Sequence, residues 1–192
     1  LFTNELFSTE ALDARLKESN LPAADPLVLY ELSKLYKKNQ VVIVHAETGA
    51  GKGIAISPFI MLLENVKTTK NLREQAYVKE VNKVVVTEPR SLNTHIADYL
   101  RILYGPIVGR AYRGKNLTGP STRLDFVTDG FLANILMKEN PYKTIIIDEV
   151  HERNLNIDTV LALCHMLKLK TVLLSATMDI PFFERYFDTK GL

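Results

Sequence analysis

The residues best suited to chemistry lie in a glycine-rich segment at 46–53, Ala-Glu-Thr-Gly-Ala-Gly-Lys-Gly, which follows the apolar run 41–44. Backbone N–H groups at a helix N-terminus bind phosphate well when no side chain blocks the approach. Glycines leave that approach open, and a lysine supplies a cation for the β- and γ-phosphates. The pattern predicts a strand, a phosphate-binding loop and a helix, with the nucleotide held by Glu47, Thr48, Gly49, Ala50, Gly51, Lys52 and Gly53.

This segment departs from the pattern G-x-x-x-x-G-K-[ST] at both ends. Ala46 stands in place of the first glycine, and Gly53 stands where a Ser or Thr hydroxyl normally binds Mg²⁺. The alternative interpretation is a glycine turn between a buried strand and a helix, without a nucleotide. Because Mg²⁺ accepts water ligands readily, binding can survive the loss of the hydroxyl while catalysis slows.

A second candidate cluster, Asp148-Glu149-Val150-His151, follows the β-branched run 144–147. An acidic pair after a strand is more often a helix N-cap than a metal site. Coupled to a phosphate loop in the same sheet, however, these carboxylates are expected to serve a metal–triphosphate. Asp148 would hold Mg²⁺ through the water shell of the ion, and Glu149 would adjoin the metal, orient the attacking water and deprotonate it. His151 is a further catalytic candidate, with a solvent-facing structural histidine as the alternative.

Short apolar runs alternate with helix-like patterns along most of the chain. Such alternation predicts an α/β domain with a mainly parallel sheet covered by helices on both faces. The predicted strands are 41–44, 84–87, 108–112, 124–128, 144–147 and 171–175, and the predicted helices are 26–38, 54–63, 93–103, 130–139 and 155–169. Ligands collect at the carboxyl ends of parallel strands. Polar clusters follow five of these strands, at 46–53, 88–90, 129–130, 148–149 and 175–177.

Composition and charge limit the classes of function that the protein can have. The 192 residues suffice for one domain with a substantial core, and a net charge of +2 means that any nucleic-acid surface must be local. The single cysteine, Cys164, excludes an internal disulfide and a thiolate zinc cluster, and we interpret it as a core residue. No membrane span or signal peptide is recognisable. We expect the protein to reside in a reducing intracellular compartment, the cytoplasm or the nucleus. Both a cellular and a viral source agree with the sequence.

The two ends and one internal stretch have their own patterns. Residues 1–20 are interpreted as an N-terminal helical extension, with an amphipathic helix at 8–19, and residues 21–192 as one domain. Because the chain begins at Leu1 rather than Met, we expect an excised piece of a longer protein. Asp25 and Pro26 are a predicted N-cap and first helical residue. The polar stretch 67–83 is interpreted as a surface insertion.

The string Asp-Glu-Val-His at 148–151 resembles the signature of the DEAH-box (DEAH/RHA-type) helicases of superfamily 2, differing by one small apolar residue. Similar strings occur in the family's order at 87–90, 128–132, 152–156 and 175–179, so the resemblance runs from about residue 21 to residue 187. It implies the first RecA-like domain of such a helicase, a P-loop NTPase with a three-layer sandwich fold. It also implies ATP, with other NTPs accepted, and Mg²⁺ as cofactors.

The resemblance further assigns roles outside the nucleotide site. Hydroxyl, guanidinium and helix N-terminal groups can hold phosphate and sugar without reading bases, so RNA binding with little sequence preference is implied. The alternative interpretations, without RNA contact or coupling, are that residue 90 is an ordinary surface charge, that residue 128 caps a helix, and that residues 175–177 are a strand end followed by a turn. The implied RNA contacts are Thr87, Arg90, Thr128 and Asp129, and the implied coupling residues are Ser175 and Thr177.

The sequence therefore predicts the ATP-binding motor domain of an ATP-dependent RNA helicase that translocates on or unwinds RNA. Expected partners are single-stranded RNA or a duplex with an overhang, activating proteins, and a second RecA-like domain of the full-length chain. Without that second domain, slow hydrolysis is expected. Two alternatives stay open: a catalytically weakened RNA-binding or protein-docking scaffold, favoured by Gly53, and a P-loop phosphotransferase, disfavoured by the strings at 128–130 and 175–177.

Overall fold

The computed structural model describes residues 22–47, 50–66, 82–87, 90–112 and 114–189. Several sequence-based expectations lie outside these residues. They are the extension 1–20 with its helix, Thr48 and Gly49 of the phosphate loop, residues 67–81 of the insertion, and the residues at 88 and 89. The side chain of Arg90 also lies outside the described part.

The described residues form one seven-stranded sheet, in the order β1-β7-β6-β2-β5-β3-β4. All strand pairs are parallel except the antiparallel pair β3–β4 at one edge. This confirms the predicted mainly parallel α/β sheet. The strands are β1 Val41–His45, β2 Lys83–Thr87, β3 Val108–Tyr112, β4 Lys115–Asn116, β5 Leu124–Val127, β6 Tyr142–Ile147 and β7 Lys170–Ser175.

Helices cover both faces of the sheet. Valine side chains at 84 and 86 join one apolar core with α1, α2 and α3, and the alternate residue at 85 joins the other with α4, α5 and α6. Strands that are apolar on both faces are what such a three-layer arrangement requires. The helices are α1 Pro26–Lys38, α2 Lys52–Val66, α3 Arg90–Tyr104, α4 Asp129–Leu136, α5 Leu155–Met166 and α6 Ile180–Phe187, with short 3₁₀ helices at Pro22–Ala24 and Gly105–Ile107.

Most helix boundaries follow the sequence signals. Asp25 caps α1 by accepting a hydrogen bond from the Leu27 amide at 2.7 Å, as predicted. The predicted helix 155–169 ends earlier, at Met166, and Lys168 takes up the left-handed conformation (φ 51°) that leads into β7. Besides the two short 3₁₀ helices, two described elements were not predicted, the two-residue β4 and the helix α6, which Asp179 caps through the Phe182 amide at 3.0 Å.

A buried polar cluster ties α1 and α2 to the sheet. The Tyr36 hydroxyl donates to Oε1 of Glu64 at 2.5 Å and lies 2.5 Å from Oγ1 of Thr144. Burial raises the pKa of the Tyr36 phenol, so it stays protonated and serves as a donor. The contact fixes α2, whose first residue is Lys52, relative to β6, whose last residue precedes Asp148.

Cys164 lies in the core of α5 with 1% of its surface exposed, as the sequence predicted. Burial raises the pKa of its thiol to about 12, so the reactive thiolate is not formed near neutral pH. Within the described ranges, no helix has the length and apolar character needed to cross a bilayer.

Gly109 in β3 has a structural reason to be glycine. The Asp125 side chain of β5 is fully buried, accepts a hydrogen bond from the Tyr142 hydroxyl at 3.3 Å, and lies 3.7 Å from the Lys83 ammonium. A Cβ atom added to Gly109 would lie 2.1 Å from Oδ1 of Asp125. A side chain at position 109 therefore requires the buried carboxylate to move.

We expect Gly109→Ala to lower the free energy of unfolding by about 1–3 kcal/mol, because overpacking displaces a buried charge from its partners. Gly119→Ala is the matched control, since a Cβ there meets no atom within 4 Å. Its effect should stay within about 0.5 kcal/mol. Urea unfolding of both variants measures the difference. Equal stabilities would contradict this packing.

Candidate functional site

Lys52 is the first residue of α2 and points back into the loop that precedes it. Its ammonium donates to the carbonyl oxygens of Ala46 at 2.9 Å and Glu47 at 3.1 Å, and only 5% of the residue is exposed. Gly51 has φ 77°, a conformation that favours glycine. A hydrogen bond from the Ala23 amide, in the segment before α1, to the carbonyl of Ala50 at 3.0 Å stabilises the loop. The described part of the loop therefore curls around the lysine.

Asp148 and Glu149 follow β6 directly. The Asp148 amide donates to the carbonyl of Thr87 at 2.9 Å, which continues the pairing with β2, and the Asp148 side chain is 5% exposed. Its Oδ1 accepts a hydrogen bond from the Glu149 amide at 2.9 Å. Glu149 has φ 50°, which is uncommon for a residue with a side chain. The chain thus turns sharply where the two acids leave the sheet.

The loop and the acid pair meet because, in the sheet of the described residues, β7 alone separates β1 from β6. With these strands parallel, their carboxyl ends lie side by side at one edge of the sheet. A Cβ atom on Gly53 would lie 3.0 Å from Oδ2 of Asp148 and 3.4 Å from Cδ1 of Ile96. The structure therefore brings Lys52, Gly53 and Asp148 into one site.

The electrostatics of this site are dominated by burial. Burial raises the pKa of Asp148 to about 6, and the neighbouring charge of Glu149 acts in the same direction. The Glu149 amide and the charges of Lys52 and His151 act against that shift. The Asp148 carboxylate is therefore an anion held in a poorly solvated place, which is a favourable setting for a cation.

The oxygen donors fit Mg²⁺, which prefers carboxylate oxygens and usually keeps several waters and phosphate oxygens as ligands. Among the residues that the structure describes, no three His, Cys, Asp or Glu side chains are grouped so that they could hold a metal ion. A metal at Asp148 and Glu149 would therefore need further ligands from a nucleotide and from water.

His151 connects the acid pair to the end of β7. Its Nδ1 lies 2.7 Å from Oγ of Ser175 and 3.4 Å from Oε2 of Glu149. The same Ser175 hydroxyl accepts a hydrogen bond from the Thr177 amide at 3.1 Å. The structure thus joins the predicted coupling residues to the predicted catalytic residues.

His45 was missed by the sequence reasoning. Its Nε2 lies 2.8 Å from the carbonyl oxygen of Ala176, and the next amide, of Ala46, donates to the carbonyl of Ser175 at 3.2 Å. The start of the phosphate loop is therefore attached to the turn after β7. A histidine at the end of an otherwise apolar strand was the only available signal.

Thr128 and Asp129 begin α4 on the same edge of the sheet. Thr128 is the N-cap residue of this helix, in agreement with the alternative interpretation as a helix cap, although its side chain makes no capping hydrogen bond. The Asp129 carboxylate accepts from the Gly130 amide at 2.7 Å and from Nδ2 of Asn154 at 2.8 Å. Asn154 also caps α5 through the Asn156 and Ile157 amides. Asn154 was not predicted, although it follows the acid cluster closely.

Thr87, the last residue of β2, is fully buried, and its hydroxyl has no hydrogen-bond partner among the described residues. A direct contact between this side chain and RNA would require its exposure. Arg90 begins α3, which places its backbone beyond the carboxyl end of β2. The predicted RNA contacts thus share one edge of the sheet with the acid pair, and their role stays a prediction.

The buried Asp148 should lower the stability of the metal-free protein. Because its folded pKa of about 6 lies above the ordinary aspartate value of 3.8, the folded state binds more protons between these two pH values and loses stability as pH rises through them. We expect Asp148→Asn, measured in EDTA, to be more stable than the wild type by on the order of 1–3 kcal/mol at pH 7.5. The difference should shrink towards pH 4. A pH-independent difference in urea unfolding would contradict this.

Comparison with known proteins agrees with these features. The family model described as DEAD/DEAH box helicase matches residues 30–185. ATP-dependent RNA helicase HrpA of Borreliella burgdorferi is 33% identical over 171 residues, which cover 82% of this chain and 19% of that protein. ATP-dependent RNA helicase DHX33 of Drosophila melanogaster is 30% identical over 181 residues, covering 85% of this chain and 24% of that protein.

The fold comparison gives the same family. The crystal structure of the Escherichia coli DEAH/RHA helicase HrpB superposes with a TM-score of 0.66 and 30% sequence identity, covering 86% of this chain and 21% of that chain. The chain thus spans about a fifth of the length of these proteins. Since the matched region includes the phosphate loop, the acid pair and the end of β7, the chain belongs to the DEAD/DEAH box helicase family.

Proposed function

We propose that this chain is the ATP-binding motor domain of an ATP-dependent RNA helicase, in which NTP hydrolysis drives movement along RNA or its unwinding. The observation that carries the proposal is the buried approach of the phosphate loop to the acid pair, with Gly53 against Oδ2 of Asp148. A cationic loop and an anionic pair at one sheet edge suit the opposite charges of a nucleotide's phosphates and of Mg²⁺, which Asp148 and Glu149 would hold.

In this proposal the loop residues 47–53 bind the triphosphate. The Lys52 ammonium exchanges its two carbonyl contacts, on Ala46 and Glu47, for phosphate oxygens. Such an exchange is favourable because a charge-assisted hydrogen bond to phosphate is stronger than one to a neutral carbonyl. Bound Mg²⁺, held by Asp148 and adjoining Glu149, would neutralise phosphate charge. Glu149 would orient the attacking water and take its proton.

The RNA side of the proposal uses Thr87, Arg90, Thr128 and Asp129 at the neighbouring strand ends. Hydroxyl, guanidinium and helix N-terminal groups suit sugar and phosphate. A carboxylate repels phosphate, and both oxygens of Asp129 already accept hydrogen bonds. We therefore give Asp129 a positioning role, in which it orients the start of α4 for RNA.

Ser175 and Thr177 are proposed to couple the two activities. The Ser175 hydroxyl is shared between the His151 ring and the Thr177 amide, so movement of the acid segment changes the turn after β7. Full activity would need a second RecA-like domain from the whole protein, which would close over the nucleotide. The proposed substrate is single-stranded RNA or a duplex with an overhang, and the proposed compartment is intracellular. Activating proteins are further proposed partners.

A second candidate function is a catalytically weakened domain that serves as an RNA-binding or protein-docking scaffold. The observation that favours it is Gly53, which lacks the hydroxyl that normally binds Mg²⁺. The presence of Lys52, Asp148 and Glu149 in one site favours an active enzyme.

Lys52→Ala and Glu149→Gln in the full-length protein test the main proposal. We expect each change to lower RNA-stimulated NTPase turnover by about 100-fold or more, because one loses the phosphate cation and the other the base. Lys138→Ala, which removes an exposed lysine from the turn after α4, is the control and should not change turnover. Phosphate release measures the rates. Turnover that persists in both variants, or is absent in the wild type with RNA, favours the scaffold.

Ser175→Ala tests coupling. It removes the group that links His151 to the turn after β7, so we expect RNA unwinding per ATP hydrolysed to fall about tenfold, as the loss of one buried hydrogen bond predicts. Ser33→Ala removes an exposed local hydrogen bond and is the matched control. Strand displacement and phosphate release are measured on the same samples. Equal loss of both activities would assign Ser175 to the chemistry instead.

A further inference from the structure

The amino edge of the sheet, opposite the nucleotide site, carries a group of exposed lysines. Lys37 and Lys38 end α1, and Lys143 is the second residue of β6. Lys168 lies in the turn between α5 and β7. Among the residues that the structure describes, none of these four lysines forms an ion pair. Their positive charges are therefore not compensated within the described part of the chain.

Strand pairing brings these lysines to one place. Val41 pairs with Thr171, and Thr144 pairs with Lys170, so β1, β7 and β6 begin side by side. Adjacent strands lie about 4.8 Å apart, so the start of β1 is only about 10 Å from the start of β6. Lysines at the end of a helix stabilise its carbonyl end. That effect explains Lys37 and Lys38 but not the lysine at position 143, which is in a strand.

A groove with a volume of about 780 Å³ opens beside the start of β1. Its buried and partly buried lining is apolar and includes Val41, Leu169 and Phe187. Its exposed lining includes Lys38 and Lys168. The groove therefore has an apolar floor and a basic rim, and its volume is in the range of pockets that bind ligands.

A second groove, of about 470 Å³, adjoins the first. Gln40, Lys168 and Leu169 line both grooves, and Nε2 of Gln40 donates to the carbonyl of Lys168 at 2.5 Å. The two grooves thus share a wall. Lys37 and Lys143 line the second groove. We call the two grooves together the basic groove.

Acidic residues contribute little to the basic groove. Of the described residues that line it, two are acidic. Asp188 is exposed, whereas Glu64 is only 5% exposed and accepts the Tyr36 hydroxyl. The groove therefore suits a ligand that has negative charges for the rim and an apolar group for the floor.

We propose that the basic groove binds an acidic segment of a partner protein, which places an apolar side chain on the floor of the larger groove and carboxylates near Lys38 and Lys168. RNA fits less well, because its outer surface is phosphate and because no described lining residue is an arginine, the side chain best suited to phosphates and bases. Exposed ion pairs are individually weak, so burial of the apolar side chain must supply much of the affinity.

The inference goes beyond the proposed function and does not depend on it. The six residues of β7 span about 20 Å, which separates the basic groove from the nucleotide site at the other edge of the sheet. A partner segment and a nucleotide can therefore be bound at the same time.

The test uses the full-length protein and a short fluorescent peptide of alternating glutamate and leucine, with anisotropy as the measure of affinity. Lys38→Glu combined with Lys168→Glu should weaken binding about tenfold, because two attractions become repulsions. Lys115→Glu reverses an exposed lysine in β4, at the far side of the sheet, and should leave the affinity unchanged. Equal affinity of the double variant and the wild type overturns the inference.

The peptide itself is varied to test the apolar floor. Replacement of its leucines by serine should weaken binding to the wild type about tenfold or more, since the burial of one leucine side chain is lost. Replacement of its glutamates by lysine should abolish binding. If the serine peptide binds as tightly as the leucine peptide, the attraction is unspecific charge and the inference fails.

A measurement on the wild type does not depend on the folding of any variant. A photoreactive phenylalanine in place of one leucine should form crosslinks to Leu169 or Phe187, and crosslinks confined to other places overturn the inference. Saturating ADP should not displace the peptide, and displacement would place it at the nucleotide site instead. If the double variant loses affinity for oligouridylate but not for the peptide, the groove binds RNA and the inference fails. Loss of NTPase activity in the Lys52→Ala variant with unchanged peptide binding would support both proposals separately.

Discussion

The position of β7 between β1 and β6 is the constraint on which the site depends. It places the start of the phosphate loop, after β1, and the acid pair, after β6, at the same edge of the sheet with one strand between them, and Lys52 and Asp148 are both almost fully buried. A lone buried charge is costly, so burial is tolerated only when opposite charges and hydrogen bonds compensate. Loop carbonyls hold the lysine, and the Glu149 amide holds the aspartate. A metal-bound nucleotide would bring a metal cation next to Asp148 and phosphate anions next to Lys52, and would thereby compensate both buried charges.

The same strand also carries the connections between elements. The end of β7 contacts the acid segment through Ser175 and His151, and contacts the start of the phosphate loop through Ala46. A few residues after the acid pair, Nδ2 of Asn154 donates a hydrogen bond to the Asp129 carboxylate at the start of α4. A displacement of the acid segment would therefore reach both the loop and the proposed RNA side through direct hydrogen bonds. Coupling of this kind requires short contacts, and the parallel register supplies them.

Much of the fold follows from the sequence because β2, β6 and β7 are apolar on both faces and each ends in a polar cluster. Asp25 with Pro26 marks a helix start for an equally local reason. The strand β4 was missed because it has only two residues, both exposed, and its pairing with β3 is a tertiary contact. Helix α6 was missed because its apolar side chains are mainly aromatic and its length is only eight residues.

The site was predictable in residue type and order but not in detail. The loop and the acid pair were recognisable from their spacing, whereas the 3.0 Å approach of Asp148 to position 53 depends on the packing of α2 against β6. Likewise, the burial of Thr87 and the contact of Asp129 with Asn154 are properties of the folded chain. His45 contacts a carbonyl that is distant in sequence and belongs to none of the recognised strings, whereas Asn154 lies in the string 152–156 but was given no role because its contact with Asp129 arises only in the fold.

The most direct test of the central claim, that Lys52 and Asp148 act on one bound metal–nucleotide, is a double-mutant cycle. Mg²⁺-dependent ADP affinity is measured for the wild type, Lys52→Ala, Asp148→Asn and the double variant. Two residues on one ligand should be coupled by about 0.5–3 kcal/mol, so that the double loss differs from the sum of the single losses. Additive losses, within about 0.5 kcal/mol, would mean that the two residues serve separate sites and would contradict the account.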